Sequence, residues 1–288
     1  MAERIIVAID GGPAGDAALD WIVDRSRTHA LDVRLTTVVE PGAAGGFGER
    51  AIAAATARLH ADAPAVETTE FVRRGSAADA LVTDSSHADL LVVGAHPVSA
   101  LTSLLGRTLA QNIAGHTRCT LIVVPEGWHP RGAGITVAWD ADGSSDRAVT
   151  FAAAEAAHSG RDLTILHAWT ALPMLAFDAI GAAGVLDEEL AAQESTLHSV
   201  AQHVRAGHPR LTVIESFEPG PAARAVGRAA DVSDMLVVGS HARSRVGSVL
   251  FGSLSRDLLA APPTVVAVVP TDPSPVHVLP EILEEELI

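Results

Sequence analysis

Unbroken apolar runs recur along the chain, among them Ile5–Ile9, Leu90–Gly94, Leu121–Pro125 and Val265–Pro270. Runs of this kind suit strands covered on both faces, as in a parallel sheet. Between them lie segments with helical spacing, such as Ala17–Ala30 (AALDWIVDRSRTHA) and Ala77–Ala88 (AADALVTDSSHA). The order is strand, helix, strand, helix, strand, helix, strand, helix, strand, and then the same order again. That alternation predicts βαβ units wound on both faces of a sheet.

The second round is an internal repeat of the first. IIVAIDGGPAGDAALDW (5–21) answers ITVAWDADGSSDRAVTF (135–151), which places Asp10 and Asp140 at equivalent positions, 130 apart. The second strands, from Val33 and Leu163, keep that offset. ADLLVVGAH (88–96) answers SDMLVVGSH (233–241), and TLIVVP (120–125) answers VVAVVP (265–270), both at an offset of 145. About 15 additional residues therefore sit between the second and third strands of the second half. Glycine and proline cluster in EGWHPRGAG (126–134), the expected boundary. The pattern predicts two tandem five-stranded parallel domains, 1–127 and 133–271, each of strand order 3-2-1-4-5, followed by an acidic tail, 272–288. In that order the apolar last strands are sheet edges, and exposed apolar edges need covering. The two halves are therefore expected to meet through them as a pseudo-dimer. Homodimerisation is left open.

Composition narrows the function. Twenty basic residues stand against 35 acidic ones, a net charge of -15, which disfavours nucleic-acid and acidic membrane partners. All basic residues are arginine; no lysine occurs, so a P-loop or kinase mechanism is excluded. The single cysteine, Cys119, supports neither a disulfide framework nor a cysteine zinc site and reads as a small core residue. The 13 histidines include no HExxH, and His198, His203 and His208 are spaced by five, which does not align them on one helix face. No metal site is argued from them. The N-terminus enters a strand without a signal-peptide pattern and no apolar run is long enough to cross a bilayer, so a cytoplasmic protein is expected.

In an open parallel sheet, ligands sit beyond the carboxyl ends of the strands, where the strand order reverses. Asp10 or Asp140, ending the first strand, could accept a hydrogen bond from a sugar hydroxyl or a base amine, or could instead cap the following helix. Gly94 or Gly239, ending the fourth strand, could admit a phosphate or simply form a turn. In the second half, Gly252-Ser253 stands just before a helical run, and free backbone N–H groups at a helix start attract anions. Arg243 and Arg245 lie on the loop before it.

This combination resembles the universal stress protein family. The family's nucleotide motif has a Gly, two residues, a Gly, nine residues, then Gly with Ser or Thr. Here it reads Gly239-Ser240-His241-Ala242, nine residues, Gly252-Ser253, with Ala242 in place of the second Gly. VAWD followed by Gly143-Ser144, and the GSH loop, are also typical. The resemblance spans the chain twice, excluding the tail. It implies two Rossmann-like domains of the adenine-nucleotide alpha-hydrolase-like type and ATP as ligand, with or without Mg²⁺. Asp140 would meet the sugar or base, with Ala138 and Trp139 beside it, and Ala168 would meet adenine through its backbone. Gly239, His241, Ala242, Arg243, Gly252, Ser253, Leu254 and Ser255 would form the phosphate wall.

The first half departs from the motif. Pro97 replaces the second glycine, Arg107 stands where Gly252 does, and Gly106 comes one residue early. Asp10, Gly94 and Thr108 survive, so weaker or absent binding is expected there. The resemblance implies an ATP-dependent regulator in stress or dormancy adaptation rather than an enzyme, since no catalytic base can be assigned. A scaffold with decayed sites, and an ATP-consuming enzyme of related fold, stand as alternatives.

Overall fold

A computed structural model of the chain describes residues 2–39, 46–96, 108–141, 145–170, 181–240 and 253–271. The first half runs β1 (Glu3–Ala8), α1 (Pro13–Arg25), β2 (Leu31–Val39), α2 (Phe47–Asp62), β3 (Glu67–Arg74), α3 (Ala77–Asp84), β4 (Leu90–Ala95), α4 (Leu109–Ile113) and β5 (Thr120–Pro125). The second runs β6 (Gly134–Ala138), α5 (Asp146–Ser159), β7 (Leu163–Trp169), α6 (Gly181–Gly207), β8 (Val213–Pro219), α7 (Ala222–Asp231), β9 (Ser233–Ser240), α8 (Ser253–Ala260) and β10 (Val265–Pro270). The 15 additional residues of the second half fall between β7 and β8, where α6 runs for 27 residues.

The strands form one ten-stranded sheet, β3-β2-β1-β4-β5-β10-β9-β6-β7-β8. Each half has the order 3-2-1-4-5 and is parallel throughout. The halves join where β5 and β10 pair antiparallel. The seam register places Ile122 opposite Ala267, Leu121 opposite Val268 and Val123 opposite Val266. Ile122 and Ala267 are themselves equivalent positions of the repeat, so a pseudo-twofold axis passes through that pair. Both edge strands are consumed in the seam, which resolves the edge liability the sequence posed.

The core follows from right-handed crossovers. One face of the sheet packs α1, α2, α5 and α6, through residues such as Leu19, Ile22, Leu59, Ala152 and Leu197. The other packs α3, α4, α7 and α8, through Leu81, Ile113, Val226 and Leu259. The central strands bury both faces, as their unbroken apolar runs require; β5 and β10 are buried over nearly their whole length. Cys119 is buried and unpaired just before β5, and burial pushes its thiol up to about 12.

The repeated Asp of ADLLVVGAH and SDMLVVGSH has a shared structural task. Asp89 accepts the backbone N–H of Arg4 at 2.9 Å and pairs with its guanidinium. Asp234 accepts the backbone N–H groups of Arg131 and Ala133 at 3.1 Å each and pairs with Arg131 and Arg161. Each aspartate thus ties the start of its half's first strand to the start of the fourth.

Candidate functional site

In each half the strand order reverses beside the first strand, between β1 and β4 or between β6 and β9, and these pairs are direct neighbours in the sheet. In open parallel sheets the ligand crevice lies beyond the carboxyl ends of such a strand pair.

In the first half, Asp10 follows β1 and reaches forward to the start of α1. Its Oδ1 accepts the N–H of Gly12 at 2.9 Å and of Gly15 at 3.1 Å. A Cβ at Gly15 would lie 2.6 Å from that oxygen, so glycine makes the seat for the carboxylate. The other oxygen meets His96 Nε2 at 2.9 Å, and His96 Nδ1 lies 3.3 Å from Glu126. His96 leaves the end of β4 and Glu126 leaves the end of β5, so three strand ends are bridged by side chains. Of the two readings open for Asp10, capping the helix start is the contact present.

Gly94 lies within β4, under the first turn of α1. A Cβ there would stand 2.0 Å from the Ala14 carbonyl oxygen, so the close approach this glycine permits is that of a helix. Thr108 is the N-cap of α4. Its hydroxyl accepts the Gln111 N–H at 3.2 Å while the Gln111 side chain accepts the Thr108 N–H at 2.8 Å, a reciprocal capping box.

In the second half, Ala138 ends β6, and Trp139 and Asp140 follow. Alternation sends neighbouring side chains to opposite faces. Ala138 and Ala168 flank the α7/α8 core, whereas Trp139 is buried in the α5/α6 core. There it meets His167 edge-on, with ring centroids 5.2 Å apart, and His167 stacks on Phe217 at 5.5 Å. His167 Nδ1 donates to the Trp139 carbonyl at 3.0 Å, and the Gln193 side-chain amide lies 3.1 Å from Nε2. Trp139 therefore borders the crevice through its backbone, with its indole turned into the core. The indole N–H is buried without a partner among the described residues.

Asp140 differs from Asp10 in its seat. The position equivalent to Gly15 is Ser145, and the Ser145 hydroxyl accepts the Asp140 N–H at 3.1 Å. Ser145 carries a Cβ at the position where glycine makes room for the Asp10 carboxylate in the other half. Gly239 lies near the end of β9, opposite Val269 of β10. Ser240 follows it and is pinned: its hydroxyl accepts the Thr271 N–H at 3.2 Å, and its carbonyl accepts the Thr271 hydroxyl at 2.6 Å. Thr271 is the counterpart of Glu126, so the Asp–His–Glu bridge has no equivalent carboxylate here. Ser253, Leu254 and Ser255 form the first turn of α8. His241, Ala242, Arg243 and Gly252 lie outside the described residues, as do Gly143, Ser144, Pro97, Arg107 and the tail.

The sequence had pointed to His96 only as the counterpart of His241. Its bridge to Asp10 and Glu126 depends on three strand ends meeting, and no local pattern announces that. Among the described residues no group of three His, Cys, Asp or Glu side chains could hold a metal ion, and no helix is long and apolar enough to cross a membrane.

Known proteins agree with this architecture. The model of the universal stress protein family matches residues 1–125 and again 134–270. The chain is 24% identical over 308 residues to universal stress protein Rv1996 of Mycobacterium tuberculosis, spanning 94% of this chain and 96% of that one. It is 25% identical over 293 residues to universal stress protein Rv2623 of the same organism, spanning 91% and 95%. The crystal structure of a universal stress protein from Archaeoglobus fulgidus shares the fold, with a TM-score of 0.63 and 15% identity over 93% of this chain and 96% of that one. Two family matches laid end to end, on two halves of the same strand order joined by one seam, make this chain a member of the universal stress protein family with two such domains in tandem.

Proposed function

We propose that this universal stress protein binds ATP in its second half, in the crevice between the ends of β6 and β9. The observation that carries the reading is the adjacency of those two strands at the reversal of strand order. Asp140 follows β6 and Gly239 and Ser240 end the neighbouring β9, while Ser253 opens α8, which supports reading the spaced motif as a phosphate site. Asp140 receives a sugar hydroxyl or base amine, and the Ala168 backbone receives adenine beside Ala138 and Trp139. Gly239, His241, Ala242, Arg243 and Gly252 to Ser255 surround the phosphates, whose charge Mg²⁺ offsets when present. Ala138 and Ala168 are half-buried and carry only methyl side chains.

The first half is the weaker site in this reading. Asp10 is held by Gly12, Gly15 and His96, Gly94 is filled by α1, and Thr108 caps its own helix. With residues 1–127 and 133–271 taken as the domains, one nucleotide binds per chain. Occupancy favours one state of the loop after β9 and so biases contact with a protein partner, by differential affinity for two states. The protein then acts as a nucleotide-dependent regulator in stress or dormancy adaptation.

Isothermal titration with ATP tests this. The expected result is one site per chain, weakened at least tenfold by Asp140→Ala and abolished by Gly252→Arg, which fills the phosphate turn. No heat of binding to the wild-type chain would favour the assembly reading, in which the crevices have decayed and the surfaces serve a scaffold.

A further inference from the structure

The pseudo-twofold axis leaves the sheet at Ile122 and Ala267 and emerges between α1 and α5. There Arg25 meets Glu155. Both terminal guanidinium nitrogens reach the carboxylate, Nη1 and Nη2 each at 2.7 Å, and Arg25 also holds Glu3 through Nε at 2.7 Å and Nη2 at 2.9 Å. The Arg25 guanidinium sits 5.0 Å from the Trp21 ring centroid. The pair is deep, with side chains 5% and 11% exposed.

Arg25 and Glu155 are 130 apart, the offset that relates α1 to α5. They are the same position of the repeat, so each meets its own counterpart. A residue on a twofold axis between identical domains would face itself. Two copies of the first half paired this way would press arginine on arginine, and two copies of the second half glutamate on glutamate. Buried like charges are strongly unfavourable, and a buried charge that loses its partner is costly. In a pair of first halves each arginine would keep only its own Glu3, and in a pair of second halves two glutamates would meet with no arginine at that position; the unlike combination alone gives Arg25 a carboxylate from the other half. Wrong pairings are thereby opposed by repulsion as well as by lost attraction.

We infer that Arg25 and Glu155 are a pairing code: they make the α1/α5 surface accept a domain of the opposite half and refuse a domain of the same half. The seam strands cannot supply this choice. Ile122, Val123, Val266 and Ala267 are all apolar and carry no charge that would set like halves against unlike ones. The selectivity resides one layer above the sheet, in a single ion pair on the axis. A cavity of about 190 Å³ opens beside the pair; Arg25 and Glu155 line it together with Asp24, Arg27, Arg161 and Asp234.

Full-length Arg25→Glu, Glu155→Arg and the double reversal on one chain test the code, read by melting temperature and by light scattering. Each single reversal should lower the melting temperature by about 10 °C. The double reversal keeps one guanidinium and two carboxylates in the cluster and should recover more than half of that loss. An equimolar mixture of the two single variants should form a dimer seen with neither alone, because the first half of each chain then matches the second half of the other. A mere structural ion pair would not drive that exchange. No dimer in the mixture, or a double reversal no more stable than the singles, overturns the inference. If Arg25→Glu does not accumulate, Arg25→Gln replaces it. A fall of more than about 4 °C that Glu155→Gln partly recovers supports the code, and a fall under about 2 °C overturns it.

Discussion

At the scale of single residues, two glycines decide how the first strand meets its helix. Gly94 admits the Ala14 carbonyl and Gly15 admits the Asp10 carboxylate. Backbone on one side of Gly94 leaves nowhere for a methyl group to go. Gly94→Ala should therefore cost about 3 kcal/mol or more in denaturant titration, as overpacked core substitutions do. A loss under about 1 kcal/mol would mean that α1 can lift from β4. Trp139 makes the opposite case. Its indole N–H is buried without a partner among the described residues, a state that carries a desolvation cost. Trp139→Phe removes that donor while keeping an aromatic ring against His167. The lost volume and the lost penalty oppose each other, so stability should change by less than about 1 kcal/mol. Neither residue declares its role in sequence. The repeat marks Gly94 as a fixed position, but only the crossing of α1 over β4 shows that a helix fills the space.

At the scale of elements, strands and helices follow closely from the chain's pattern. The apolar runs became the central strands, the offset changed from 130 to 145 where α6 is longer than its counterpart α2, and the apolar last strands became the seam. The ends of elements were harder to read. Helical spacing was expected to continue to Ala30 but α1 stops at Arg25, where Ser26 caps it and a turn carries the chain to β2. Thr108 reads equally well as a phosphate donor and as a helix cap, because both uses want a hydroxyl at the same place. The capping box of α4 predicts that Thr108→Ala costs about 1 kcal/mol of stability whether or not nucleotide is present. A variant of unchanged stability would show that the cap is idle. The contact between α1 and α5 was not legible at all, since nothing in either helix tells which of its faces lies on an axis.

That contact also sets a pH dependence. His29 follows α1 and His158 ends α5, and their rings lie 5.0 Å apart across the junction. Burial first, and then Arg25, lower the His29 pKa below its ordinary 6.5, outweighing the opposite pull of Glu155 and Glu3. The folded chain thus binds that proton less readily than the unfolded chain does. Stability from this source is complete above pH 6.5 and is lost as pH falls below it toward the folded value. Melting temperatures recorded from pH 7.5 to 5.5 should fall, and His29→Gln should flatten the lower part of the profile. An unchanged slope in the variant would place the acid sensitivity elsewhere.

At the scale of the whole molecule, the continuous sheet and the axial ion pair make the two domains one mechanical body. Calorimetry should accordingly give a single unfolding transition, and two well-separated peaks would mean that the seam melts first. The antiparallel seam also fixes the outlook of the two crevices. Strands in the halves run in opposite senses, so the mouth beside Asp10 and the mouth beside Asp140 open on opposite rims of the plate. No small molecule can touch both, and neither mouth can lend the other a side chain. A partner docked on the rim beside Asp140 is out of reach of the rim beside Asp10, which gives an outwardly twofold body a front and a back.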